Sequence, residues 1–244
     1  MMHLNDNDAV GPLIAKLEKL APLTDAAKAK LKALPFTHVV AAADERLVRE
    51  GDVATNCCLL LSGYACRHKS ADDGGRQIVS FHHPGDVLDL QHLLLSRADH
   101  TVQVLTSATY LRVPAAALKQ AAQDHPDIAE ALWRDTLIDA SVFREWVLNV
   151  GRRDAKSRIA HMLCEFEVRR KVALGGSAKG VVFPLTQEHI ADATGLTPVH
   201  VNRTLQVLRE SGALGRAGTK VVIGDWAQLQ QIAKFSPMYL HAAA

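Results

Sequence analysis

"LTPVHVNRTLQVLRESGAL", residues 196–214, decides how this chain is read. Thr197 offers a capping oxygen, and Pro198 fixes φ at a first helical position where a missing N–H costs nothing, so a helix start is sharply defined there. Val201, Leu205 and Leu208 then recur at the helical period and point to one side. Pro198, Val199, Asn202, Arg203 and Gln206 are left on the other. Ahead of them "TQEHIADATG", residues 186–195, reads as a shorter helix. Gly195 permits a tight turn and the small Ala191 a close approach, as a helix-turn-helix requires.

The outward face carries groups suited to base edges: Arg203 can fork onto guanine, Asn202 can pair with adenine, and Val199 can contact a thymine methyl. Thr186 and Gln187 can hold a phosphate at the first helix start, and His200 can also reach the DNA backbone. "ALGRAGTKVV", residues 213–222, adds two short strands around Ala217 and Gly218, with Arg216 and Lys220 forming a basic wing. An ordinary helical hairpin with a wet face is the alternative. Charge weighs against it. The whole chain carries only +2, yet residues 151–220 hold twelve Lys/Arg against six Asp/Glu, a +6 segment beside a −4 remainder. A basic module joined to an acidic one suits a double-stranded DNA partner.

Upstream, Leu13, Ile14, Leu17 and Leu20, then Ala27, Leu31 and Leu34, predict two short amphipathic helices around Pro22 and Thr24. From Thr37 to Pro114 short apolar or alternating runs separated by Gly and Asp predict an antiparallel roll or barrel, with "SADDGGRQ", residues 70–77, as its clearest hairpin tip. "HPDIAEALWRDTLIDASVFREWVLNV", residues 125–150, is one long helix. Leu132, Ala140, Phe143, Val147 and Val150 form its stripe, widened by Trp133, Leu137 and Trp146. So apolar a helix needs two partners, its own roll and a symmetry mate in a two-fold dimer. After the polar hinge "GRRDAKS", residues 151–157, come a helix from Ser157 to Leu174, a short strand in "GVVFPL", and, past the wing, a helix capped by Asp225 and bearing Trp226, Leu229, Ile232 and Phe235.

The fold class is therefore α+β: an N-terminal β-roll domain over 1–124, a dimerisation helix over 125–150 and a winged helix-turn-helix over 151–244. With 244 residues, 48% hydrophobic and 22% charged, the chain has the makeup of a soluble two-domain protein. The acidic start "MMHLNDND" and the lack of a roughly 20-residue apolar run predict a cytoplasmic location and no membrane partner. Cys57, Cys58, Cys66 and Cys164 lack paired metal-ligand spacing. Cys57 and Cys58, adjacent on a strand, should face opposite ways. Cys164 reads as a packing thiol, with a redox switch as the alternative.

Several stretches together resemble the Crp/Fnr family of bacterial transcription regulators. "REGD", "LLLSG" and "HPGDVL" resemble the turns of its cyclic-nucleotide-binding-type roll, "HPDI" the opening of its dimer helix, "RRDAKSRIAHML" its hinge, and residues 185–214 its winged helix-turn-helix. The resemblance implies a homodimer on a near-palindromic operator, Arg203 as the guanine reader, and contact with RNA polymerase. It also marks departures. Val199 stands where family members carry a glutamate and Pro198 where the cAMP receptor protein has arginine. In "GDVLDLQHLLLSRADHTV", residues 85–102, Asp89 and Leu90 replace the ribose-binding glycine-glutamate pair, and His100 and Thr101 the phosphate-binding arginine-serine pair. Phe143 and Arg144 stand where polar residues would meet adenine. A cAMP effector is therefore not expected, no cofactor is predicted, and the effector is unknown. The first 56 residues contain no cysteine for an iron-sulfur cluster. His82, His83, His92 and His100 leave a haem or metal sensor, or a cupin-type metal enzyme, as alternatives without supporting ligand spacing.

Overall fold

The computed structural model describes residues 9–53, 55–176, 181–218 and 220–241. The described residues fall into two compact units, one within 9–67 and 82–140, the other within 68–81 and 141–241.

The first unit opens with the two expected helices, α1 (Gly11–Leu20) and α2 (Asp25–Lys32). Leu13, Ile14 and Leu17 are the buried face of α1, and full burial of each such side chain contributes roughly 1.5–3 kcal/mol. Thr24 caps α2 by accepting from Ala27 N. Strands β1 (Thr37–Ala41), β2 (Arg46–Val48), β3 (Asn56–Ser62), β4 (Ala65–Ser70), β5 (Arg76–His82), β6 (Thr101–Val104) and β7 (Ala108–Pro114) form two sheets, ordered β1-β7-β3 and β2-β6-β4-β5. The turn between β4 and β5 falls where the sequence placed it, with Ala71 N donating to Gly75 O and Gly74 at φ 83°. At Gly63, φ 81°, a Cβ would lie 2.5 Å from Ser107 O, so only glycine fits between β3 and β4.

Side-chain alternation along β3 separates two cores. Cys57 and Leu59 face Leu17, Leu31, Leu111 and Leu118 beneath the helices, while Cys58 and Leu60 face Leu88, Val102, Val104 and Tyr110. The neighbouring thiols thus point apart, as the strand reading required. All four cysteines are buried. Burial pushes the Cys57, Cys58 and Cys164 thiols up, which suits packing and not nucleophilic chemistry. Lys16 bridges Asp86 and Asp135 at 2.9 and 2.8 Å. Burial works against its charge, but the two carboxylates outweigh it and its pKa is raised.

Helix α3 (Ala115–Asp124) leads into α4 (Pro126–Arg152), 27 residues long. The stripe read from the sequence divides between two faces. Ile128, Ala131, Leu132, Val142 and Trp146 are buried, whereas Trp133, Leu137, Phe143 and Val147 are exposed at 69, 55, 51 and 59%. Leu132 and Trp146 therefore belong to one side and Phe143 and Val147 to the other, a partition that a single 3.5-residue repeat conceals.

In the second unit Asp154 caps α5 (Ala155–Leu174), accepting from Ser157 N at 2.9 Å. Then come α6 (Gln187–Thr194), α7 (Pro198–Glu210), the hairpin β8 (Leu214–Ala217) and β9 (Lys220–Ile223), and α8 (Trp226–Ala233). Phe81, Trp146, Phe166 and Phe183 build an aromatic core of edge-on rings with centroids 5.6–5.7 Å apart. Two expectations are corrected. Among its described residues the strand expected in "GVVFPL" shrinks to one bridge, Val182 to Val222, because Pro184 removes a ladder donor just after it. Helix α8 stops at Ala233, before Phe235, since Lys234 adopts the left-handed conformation at φ 49°.

Candidate nucleic-acid interface

Two caps and a glycine set the interface. Thr186 caps α6 by accepting from His189 N, and His189 Nδ1 accepts in return from Thr186 N at 3.4 Å, a reciprocal box. Gly195 ends α6 in the left-handed region at φ 64°. Thr197 then caps α7 by accepting from His200 N at 3.2 Å, with Pro198 in its first turn. Val201, Leu205 and Leu208 are fully buried, which locks the rotation of α7. Thr197, Pro198, Val199, His200, Asn202, Arg203 and Gln206 are all exposed, the face drawn from sequence.

The exposed residues are not independent of one another. Asn202 Nδ2 donates to Gln187 Oε1 at 3.1 Å, so a residue of α6 orients an amide of α7. Lys156 at the α5 start joins Thr197, Val199, His200 and Arg203 around a groove of about 600 Å³. The sequence reading took "GRRDAKS" only as a hinge and missed Lys156. Arg209, also missed, lies close enough to Arg216 of β8 that, after burial, the neighbouring guanidinium is the second influence lowering its pKa. Its position at a helix end, where a Lys or Arg is unremarkable, gave no signal. Arg216 and Lys220 are exposed on the β8–β9 hairpin.

In the first unit, Asp89 is fully buried and accepts from Cys58 N at 2.8 Å. Its second oxygen lies 3.4 Å from Nδ1 of the buried His92. Leu90 packs into the core beneath the helices. His100 is held between Asp99 at 2.7 Å and Gln91 at 3.1 Å. Burial and the positive field of Arg67 lower its pKa, so the ring is neutral at pH 7. Thr101 Oγ1 accepts from Glu50 N at 3.2 Å. The structure thus joins Asp89 and His100 through the Gln91–His92 segment. Arg67 reaches across to Leu88 O at 2.9 Å and to Asp139 of α4 at 2.5 Å. In the second unit, Phe143 is exposed and Arg144 is exposed beside Ser141, to which it donates at 2.7 Å. Among the described residues no three His, Cys, Asp or Glu side chains converge as a metal site.

A helix backed by a buried face, with a preceding helix and a basic hairpin, on a chain that also carries a small antiparallel roll, defines a DNA-binding regulator of the helix-turn-helix class. Comparison with known proteins agrees on both parts. Residues 38–125 match the cyclic nucleotide-binding domain and residues 157–232 the Crp-like helix-turn-helix domain. The chain is 28% identical over 189 residues to the nitrogen fixation regulation protein FixK of Bradyrhizobium diazoefficiens, covering 78% of each. It is 28% identical over 193 residues to the transcriptional activator protein FnrL of Cereibacter sphaeroides, covering 77% of this chain and 76% of that one. The solved structure of FixK2 from Bradyrhizobium japonicum superposes with a TM-score of 0.75 at 27% identity, over 83% of this chain and all of that one. A CRP-family regulator from Thermus thermophilus shares the fold at a TM-score of 0.68 and 22% identity, over 84% of this chain and all of that one. The chain belongs to the Crp/Fnr family and is a DNA-binding transcription regulator of that type.

Proposed function

We propose that the protein works as a homodimer, 1–124 serving as sensor, 125–150 as dimerisation helix and 151–244 as DNA-binding domain, on a near-palindromic operator with half-sites about one helical turn apart. The exposed face of α7 carries this reading, because Arg203 projects from a helix whose opposite side is fully buried. Arg203 reads a guanine, Asn202 an adenine, and Val199 a thymine methyl in place of the cytosine a carboxylate would select. Pro198 and Gln206 border this readout. Thr186, Gln187, Thr197, His200, Arg216 and Lys220, together with Lys156 and Arg209, hold phosphates and set register. The exposed α4 residues Trp133, Leu137, Phe143 and Val147 form the seam between protomers. RNA polymerase is the further partner at promoters, the protein acts in the cytoplasm, and it performs no catalysis.

cAMP is not the effector. Asp89 is already committed to Cys58 N, Leu90 offers no acceptor to a ribose hydroxyl, and neutral His100 lacks the fixed charge a cyclic phosphate needs. Thr101, beside His100 in the first unit, adds no charge, and neither Phe143 nor Arg144 offers an adenine the polar neutral contacts of the cAMP-binding pattern. Selection of bound sequences from random DNA tests the reading. It should return a palindrome with one guanine per half-site opposite Arg203 and thymine where relatives demand a G·C pair, unchanged by added cAMP. Recovery of the cAMP-receptor consensus would refute it.

A further inference from the structure

Where α4 gives way to α5, the joint is closed by a segment that DNA contact does not use. From Lys234 the chain turns through Phe235 into the single turn Pro237–Leu240. Phe235 sets its ring edge-on to His161 of α5 with centroids 5.2 Å apart, and Tyr239 stacks on the same imidazole at 5.8 Å and 19°. The Tyr239 hydroxyl donates to Glu165 Oε2 at 2.7 Å, while Trp146 Nε1 donates to Glu165 Oε1 at 2.8 Å. Trp146 lies on α4, Glu165 on α5 and Tyr239 in the last turn. One carboxylate, 2% exposed, therefore ties three elements together. Around the same joint Arg153 donates to Glu145 at 2.5 Å, and Asn149 of α4 donates to Arg158 O of α5 at 3.2 Å.

A buried carboxylate whose guanidinium neighbour Arg169 lies 3.9 Å away is a costly way to hold helices together. Apolar side chains of equal volume would stabilise the joint as well, but they would permit a range of crossing angles. Two directional hydrogen bonds to separate oxygens, together with a stacked ring, permit one. Helix α7 packs on α5, so the α4–α5 angle sets where α7 points.

We propose that Tyr239 is a positioning residue for DNA binding: the turn Pro237–Leu240 clasps the α4–α5 joint and fixes the direction in which each recognition helix leaves the dimer helix. This rests on the two-fold reading given above. A dimer profits from its second half-site only when both recognition helices meet it without distortion, because the second contact is an intramolecular one whose effective concentration depends on geometry. A loosened joint lowers that concentration and leaves single half-site contacts intact.

The test compares full-length wild type, Tyr239→Phe and Glu165→Gln on the palindrome selected by the wild type and on a duplex carrying one half-site. Hydrogen exchange across residues 141–174 is followed in parallel. Tyr239→Phe should bind the palindrome about tenfold or more weakly and the half-site within about twofold, with faster exchange at the joint. Glu165→Gln, which keeps the side-chain shape but replaces one accepting oxygen by a donor, should shift both readouts the same way. Unchanged palindrome binding overturns the proposal. Equal losses on both duplexes also overturn it, since they assign Tyr239 to folding alone. Should the wild type select no palindrome, the functional reading itself has failed, and exchange still decides the clasp: unaltered protection in Tyr239→Phe disproves it.

Discussion

Arg203 and Val199 sit four residues apart on one exposed helix face, and in the proposed reading their chemistries divide the readout. A guanidinium presents two donors to guanine O6 and N7, and an isopropyl group can only meet a methyl. Val199→Glu should therefore move the preferred base pair at one half-site position toward one with cytosine facing the carboxylate, by roughly 1–3 kcal/mol of discrimination, as competition binding with paired operators would report. No shift in preference would dissociate position 199 from base reading. Thr197→Ala removes the cap of α7 and should lower stability by about 1 kcal/mol in denaturant unfolding. At this scale the sequence was informative where the candidate site lies along one helix: Thr197, Val201, Leu205, Leu208 and Arg203 are all ordered by a single period. It was silent where partners come from distant segments. Gln187 orienting Asn202, Lys156 lining the groove and Tyr239 reaching Glu165 across 74 positions are facts of tertiary packing that no local pattern encodes.

Among the elements, α4 shows both the strength and the limit of periodicity. Its length and start were legible from Pro126, Asp127 and the apolar repeat. Which apolar residues face inward was not, because a helix greasy on two sides has no unique moment. Trp146 lies in the core, and Trp133, Leu137 and Val147 lie in solvent. Leu137→Glu should accordingly yield monomer in sedimentation equilibrium while leaving the thermal midpoint of the first unit nearly unchanged. A dimer that survives this substitution would move the seam elsewhere. Gly195→Ala bears on the helix-turn-helix element. Its new methyl group would meet Val150 Cγ1 at 3.3 Å in a left-handed conformation that L side chains rarely adopt. A loss of about 1 kcal/mol or more is expected in urea unfolding.

At the scale of the whole molecule, a buried imidazole makes stability depend on pH in the acid range. His161 is almost completely buried. Desolvation, reinforced by Arg153, holds its pKa down to about 3, and Glu145 at 3.2 Å does not reverse this because Arg153 already occupies that carboxylate. A depressed pKa means the unfolded chain takes up the proton first. Stability is complete above the ordinary histidine value of 6.5 and falls as pH drops toward 3, by up to about 1.4 kcal/mol per pH unit for this group. His161→Gln should flatten that part of the profile in thermal melts at pH 4–6 relative to pH 8; an unchanged slope would place the acid sensitivity in other groups. The order of short strands, long helix and helix-turn-helix was readable from changes in periodicity along the chain, whereas the grouping of His68–Phe81 with the second unit was not. The commitment of Asp89 to Cys58 N, and of Arg67 to Asp139, could not be read, since each joins elements paired only by the fold.

Arg203→Ala, titrated on the selected operator and on unrelated duplex over a range of salt, tests the central claim most directly. Affinity for the operator should fall by roughly 1–3 kcal/mol, guanine preference at the matching position should relax, and binding to unrelated DNA should change little beyond one lost charge. An Arg203→Ala protein that kept full operator affinity and its guanine preference would contradict the assignment of α7 as the reading helix.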